Sequence, residues 1–351
     1  MVAPSTKPLK FNWLSDASVT ISLAFGRGSL TEGFPTITAQ IWEMDVPLPQ
    51  QFVGQLPPFP DLLNSLQQWQ TVYLALAQRL QLGRQRQAEG MRSFDDDDDD
   101  FEIEEDAVTH VSQVSFEDLS QRLQRQLNEW LLSPGFTPIV QALRSHLSPE
   151  MPLRLILQTD DPHLHHLPWQ GWQFLVDYPL AEVALSQPQF YRLKEITPQK
   201  KRQQVRILAI LGSSQGIDLT AEQQQLSEIP DAEVQFLTQP SRQEFDTALW
   251  DDQGWDILFF AGHSQTEQQT GRLYLHDGPE HRSLTLEHLQ EGLRTALERG
   301  LQLAIFNSCD GLGLANSLGN LQIPVTIVMR EPVPNRVAQD FFQRFLEGYA
   351  I

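Results

Sequence analysis

The sequence predicts an α/β protein: a mainly parallel sheet with helices on both faces, preceded by an N-terminal α+β region. Three observations carry this. From residue 205 onward, short apolar runs alternate with segments of helical spacing. Those runs are apolar throughout rather than at every second residue, as strands covered on both faces require. The chain has 351 residues, 40% of them hydrophobic and 20% charged, enough for about two domains with real cores.

The elements follow in order. Val19 to Phe25 and Thr36 to Trp42 read as strands joined by the turn Gly26-Arg27-Gly28. Pro57-Pro58-Phe59-Pro60 breaks the chain, and Asp61 then caps a helix. That helix carries Leu62, Leu63, Leu66, Trp69, Tyr73, Leu76, Ala77 and Leu80 at helical spacing. Residues 83 to 109 lose all periodicity and include the run Asp95 to Asp100. Like charges repel and cannot be buried, so this stretch reads as a solvated, disordered insertion. A docking tail for a basic partner, or a weak cation sink, is the other reading. Phe116 to Leu132 and Phe136 to Leu147 read as amphipathic helices, and Leu153 to Leu157 as a buried strand. The expected division is residues 1–150 for the N-terminal region and 151–351 for the α/β domain.

In the second part, Val205 to Leu211, Val234 to Leu237, Trp255 to Phe260, Leu301 to Phe306 and Pro324 to Met329 read as strands. Pro324 at its start means that the last of them begins late or lies at an edge. Helices begin at Thr220, with Gln223 as capping-box partner, and at Ser241, with Glu244. Thr285 starts another, carrying Leu286, Leu289, Leu293 and Leu297 and closed by Gly300. Asn335 caps a last helix with Val337, Phe341, Phe345 and Leu346.

Composition excludes several function classes. The net charge is −20, but residues 95 to 118 hold 12 acids and no Lys or Arg. Outside that window 33 acids against 25 bases leave −8. A mildly acidic body without a basic stripe argues against nucleic-acid binding. No stretch approaches roughly 18 consecutive apolar residues, so no membrane partner is expected. The first residues lack a basic segment followed by an apolar one, and the expected location is cytoplasmic. Cys309 is the lone cysteine, which rules out an intramolecular disulfide framework or a Cys-rich zinc module.

In a parallel sheet the chemistry sits at the carboxyl ends of the strands. Phe260 is followed by Ala261-Gly262-His263-Ser264, and Phe306 by Asn307-Ser308-Cys309-Asp310-Gly311. His263 and Cys309 each lie three residues past an apolar run. On neighbouring strands, about 4.8 Å apart, they could meet above the sheet. An imidazole beside a thiol takes its proton, and the thiolate can attack a carbonyl carbon. The backbone N–H groups of Cys309 and Ser264 are the candidate oxyanion donors. Gly311 and Gly313 would keep the following chain low. The alternative is structural: a small buried cysteine and a hydrogen-bonded turn histidine.

The segments Phe259-Phe260-Ala261-Gly262-His263-Ser264 and Phe306-Asn307-Ser308-Cys309-Asp310-Gly311-Leu312-Gly313-Leu314-Ala315 resemble the His and Cys signatures of the CHAT domain. Met329-Arg330-Glu331-Pro332-Val333-Pro334 and Leu167-Pro168-Trp169 resemble further segments of that family. It is a bacterial branch of the caspase-like cysteine peptidases and a relative of separase. The resemblance implies a caspase-like α/β fold and peptide-bond hydrolysis through a Cys-His dyad. It implies a protein or peptide substrate, no metal or organic cofactor, and a role in bacterial signalling, stress or defence proteolysis. Two departures stand out. Ser264 follows the histidine where the family pattern commonly has Gly, and the chain ends at Ile351 where the family domain usually continues through a further helix and strand. The resemblance thus implies a C-terminally truncated copy. They motivate a second hypothesis, a catalytically inactive interaction or regulatory module that holds a protein partner.

Other motifs read as background. Gly212-Ser213-Ser214-Gln215-Gly216 matches G-x-S-x-G, but the next helix starts only at Thr220, so it reads as a loop on the cleft rim. His163, His165 and His166 have no acid or cysteine at ligand spacing, and no metal is expected there. Asp310, Asp161 and Asp160 are candidates for a pocket selecting Lys or Arg, with Asp160-Asp161-Pro162 otherwise a turn. Trp130, Trp169, Trp172, Trp250 and Trp255 read as core.

Overall fold

A computed structural model of the chain describes residues 19–43, 46–88, 100–102, 110–188, 204–213, 219–267, 270–276, 283–308, 314–315, 318, 321, 323–331, 333, 337, 341–342 and 344–345. Its contacts divide the chain between Gln189 and Phe190 into two compact units.

The first unit opens with β1 (Val19–Phe25), β2 (Phe34–Glu43) and β3 (Gln50–Leu56). Helix α1 (Pro60–Ala88) follows, then the short strands β4 (Asp100–Glu102) and β5 (His110–Ser112). Next come α2 (Gln113–Leu131), α3 (Thr137–His146), β6 (Leu153–Gln158), the one-turn helix α4 (Pro162–His166) and β7 (Ala181–Ser186). The sheet order is β3-β2-β1-β6-β7. β1 is antiparallel to β2 and parallel to β6, and β6 is parallel to β7. Every second residue of β1 and β6 enters one core, where Ile21, Leu23, Leu155 and Leu157 meet Leu66, Leu127, Trp130 and Ile139 of the helices.

Several expectations shift here. Strands β6 and β7 complete the N-terminal sheet, so the compact units part at residue 189 rather than near 150. The physical cause is the shared core: the alternating leucines of β6 pack in one cluster with Val19, Ile21, Leu23 and Phe25 of β1. Pro60 is the first residue of α1, which leaves Asp61 in the first turn instead of at the cap. The helix runs to Ala88, past the expected loop start at 83. Asp100–Glu102 pairs antiparallel with His110–Ser112, whereas Asp95 to Asp99 and residues 103–109 lie outside the described residues. Strand β3 was not legible because its sequence, QQFVGQL, shows little apolar signal and its exposure pattern is that of an edge.

The second unit contains β8 (Val205–Leu211), α5 (Thr220–Ser227), β9 (Ala232–Thr238), α6 (Arg242–Leu249) and β10 (Ile257–Ala261). Strands β11 (Ser264–Glu267), β12 (Thr270–Tyr274) and β13 (Ser283–Thr285) form a small antiparallel sheet. A 3-10 turn over Leu286–Leu289 leads into α7 (Gln290–Glu298), followed by β14 (Leu303–Asn307) and β15 (Val325–Val328). The main sheet has the order β15-β14-β10-β8-β9, and every pairing is parallel. β8, β10 and β14 are buried along their whole length, as their apolar runs predict, although β8 includes Arg206 and β14 ends on Asn307. β15, the strand opened by Pro324, is at the edge.

Both faces are covered. Leu208, Ile210, Leu258, Phe260, Ala304 and Phe306 pack with Phe245 and Leu249 of α6 and Leu293 and Leu297 of α7. On the opposite face, the ring of Phe259 meets Phe342 edge-on at 5.1 Å. Asn307, of the same parity, reaches Glu222 of α5. The capping box at Ser241 forms as expected, with Glu244 returning the bond. At Thr220 it does not: Leu219 is the cap residue and no side chain caps the helix. Val337, Phe341 and Phe345 are helical, while Asn335 and Leu346 lie outside the described residues. Trp250 is 47% exposed rather than core.

Candidate active site

The three central strands finish level. Ala261 at the end of β10 is paired with Leu211 on one side and Asn307 on the other. His263 follows Ala261 by two residues, and Cys309 follows Asn307 by two. The condition placed on the two motifs, that their strands be neighbours, is met. Cys309, Asp310, Gly311 and Gly313 themselves lie outside the described residues.

The backbone carrying His263 is tightly held. Gly262 has φ +149°, and a β-carbon there would approach the Gly212 Cα and the Ser213 carbonyl oxygen to 3.2 Å, so this crossing needs glycine. The His263 N–H donates to the Ser213 carbonyl at 3.3 Å. Its carbonyl accepts from the Tyr274 N–H at 3.0 Å, and Ser213 N–H donates to the Tyr274 carbonyl at 2.8 Å. Strand β12 therefore staples the loops after β8 and β10 together. The side chain of His263 is half-buried.

Ser264 opens β11 opposite Leu273. Because the neighbouring pair, His263 and Tyr274, is hydrogen-bonded, Ser264 falls at a non-hydrogen-bonded position of the ladder. Ser264 is not among the residues with positive φ. A β-carbon is thus compatible with this position, where the family pattern commonly has Gly.

At the end of β14, Asn307 and Ser308 are 6% and 3% exposed. The Asn307 Nδ2 donates to Glu222 Oε1 at 3.2 Å. Asn307 Oδ1 and Ser308 Oγ are buried without a hydrogen-bond partner among the described residues. Beyond Cys309 in the sequence, Leu314 is fully buried, and a β-carbon on Gly271 of β12 would stand 2.5 Å from its backbone nitrogen.

Asp160 and Asp161 lie after β6 in the first unit. The Asp161 carboxylate caps α4, accepting from the His163 N–H at 2.8 Å and lying 3.0 Å from His163 Nδ1. His165 is buried with Nε2 3.2 Å from the Thr159 carbonyl, and burial holds its pKa below the ordinary value despite that bond. Leu167 and Trp169 are buried. Among the described residues no group of three or more His, Cys, Asp or Glu could hold a metal ion. Of the G-x-S-x-G stretch, Gly212 and Ser213 serve the staple above, and Ser214 to Gly216 lie outside the described residues.

Two features escaped the sequence reading. Glu222 carries no signal of its own in the sequence, and only its position beside Asn307 marks it. The β11–β13 sheet is built from strands of five residues or fewer, too short for an apolar period to emerge.

No curated protein matches the chain. Residues 121–350, from within α2 onward and including both strand-end motifs, match the family model of the CHAT domain. With its five-stranded parallel sheet and helices on both faces, a caspase-like α/β arrangement, the chain belongs to the CHAT domain family.

Proposed function

We propose that the protein is a cysteine endopeptidase in which Cys309 is the nucleophile and His263 the general base and acid. The observation that carries this reading is the register of β10 and β14. They are adjacent, parallel and level, with Ala261 opposite Asn307, and each is followed at the same interval by one member of the pair.

The chemistry follows from the groups. His263 takes the Cys309 proton, and the thiolate attacks the scissile carbonyl carbon. A C–S bond forms and the carbonyl electron pair moves to oxygen, where the N–H groups of Cys309 and Ser264 hold it. Collapse restores the carbonyl and expels the amine, which takes its proton from His263. A water then gives a proton to His263 and attacks the thioester, and the departing thiolate frees the acid product. Asp310, next to the nucleophile in sequence, is the proposed carboxylate for a Lys or Arg residue before the scissile bond. The proposed setting is regulatory, stress or defence proteolysis in a bacterial cytoplasm.

The test is an alkylating peptide probe. Labelling of Cys309 well above the rate of a free thiol, lost in His263→Ala, is the expected result. Labelling at the free-thiol rate, unaffected by His263→Ala, would overturn the reading in favour of a non-catalytic interaction module.

A further inference from the structure

The second-unit sheet buries a carboxylate that the peptidase mechanism does not use. Glu222, in the first turn of α5, is 3% exposed. A buried carboxylate is costly unless hydrogen bonds hold it, and an apolar residue would serve packing better. Its contact with Asn307 is therefore informative. The Asn307 Nδ2 donates to Glu222 Oε1, so the amide oxygen Oδ1 faces the other way. Asn307 is the last residue of β14, two before Cys309. Its Oδ1 and the neighbouring Ser308 Oγ are buried and without partners among the described residues. Unmet buried polar atoms call for a reason, and these two lie where the chain leaves the sheet for the nucleophile.

We propose that Glu222 is a positioning residue. Its carboxylate holds the Asn307 amide and so sets the direction in which the chain leaves β14 toward Cys309. This inference rests on the cysteine-peptidase reading. Glu222 touches no reacting atom; it acts through Asn307, from the helix packed on the face of the sheet that also carries Phe259.

The lone cysteine makes the test direct, because alkylation of the whole chain by iodoacetamide reports Cys309 alone. The rate is followed from pH 5 to 9 in wild type, Glu222→Ala, Glu222→Gln, Asn307→Asp and the double variant Glu222→Gln/Asn307→Asp, each checked by thermal melting. Asn307→Asp opposes two carboxylates and should slow alkylation at neutral pH about tenfold, the worth of one buried charged hydrogen bond. It should also move the profile to higher pH. The double variant restores the bond with donor and acceptor exchanged and should recover the rate and the profile. Glu222→Gln keeps an acceptor oxygen and should stay near wild type, which covers the case in which Glu222→Ala fails to fold. Equal rates in wild type and Asn307→Asp, or no recovery in the double variant, would overturn the positioning role while leaving the peptidase reading intact. A wild type that reacts as a free thiol, indifferent to His263→Ala, would overturn both.

Discussion

Gly271 and the backbone of Leu314 leave no room for a side chain between them: a β-carbon on Gly271 would sit 2.5 Å from the Leu314 nitrogen. Leu314, five residues past Cys309 in the sequence, is thus seated on β12, the strand that also binds the carbonyl of His263 through Tyr274. Gly271→Ala must push Leu314 away. Overpacking of this kind costs about 1–3 kcal/mol. The expected outcome is a lower urea midpoint together with slower alkylation of Cys309. An unchanged midpoint and rate would show that the contact is slack.

Arg206 is a buried structural cation of the second unit. Its guanidinium lies 4.2 Å from the centroid of the Trp255 ring, donates to Asp251 at 2.8 Å and to the Gly254 carbonyl at 2.7 Å, and is 7% exposed. Arg206→Ala removes the charge and the stack and should cost about 3 kcal/mol. Burial alone would raise the Asp251 pKa, but bonds from Arg206 and the Gln253 N–H, with the charges of Arg206 and Arg299, bring it below the ordinary value. A lowered carboxyl stabilises fully above its unfolded pKa and loses that contribution as pH falls through the folded one. Asp251→Asn should therefore weaken the fold at neutral pH and reduce its acid sensitivity below about pH 4. Equal acid sensitivity in wild type and variant would refute this.

His165 titrates in the other direction of charge. Burial lowers its pKa, outweighing the bond to the Thr159 carbonyl that favours the charged ring. The unfolded chain then binds its proton first. Stability is highest above the unfolded value of about 6.5 and falls as pH drops below it toward the folded one. Denaturant midpoints at pH 7.5 and 5.5 should differ less in His165→Gln than in wild type. A variant with the wild-type difference would remove His165 from the account.

Asp310 is the carboxylate proposed to select a basic residue before the scissile bond. In a peptide library that varies this position, Asp310→Asn should reduce cleavage after Lys and Arg at least tenfold relative to apolar residues, the scale of one lost ion pair at a protein site. An unaltered preference would assign selection to other residues.

The long, strongly patterned elements were legible in advance because their information is local. Val205–Leu211 is predicted and found with identical bounds, and the β10 and β14 runs end within one residue of expectation. Ser241 and Glu244 form their box since both partners sit within one turn. The same pattern at Thr220 fails because Leu219 takes the cap position. The segments that carry the two strand-end motifs were likewise visible as residues in order.

By itself, then, the sequence determined which runs are buried strands and which residues stand at their carboxyl ends, since periodicity and turn chemistry depend on near neighbours. The tertiary structure decided which strands lie side by side. It joined β6 and β7 to the N-terminal sheet, put β10 against β14, and brought Glu222 to Asn307 across 85 residues of chain. Such pairings come from long-range burial and hydrogen bonding, whose partners are set by topology and leave no trace in any local window.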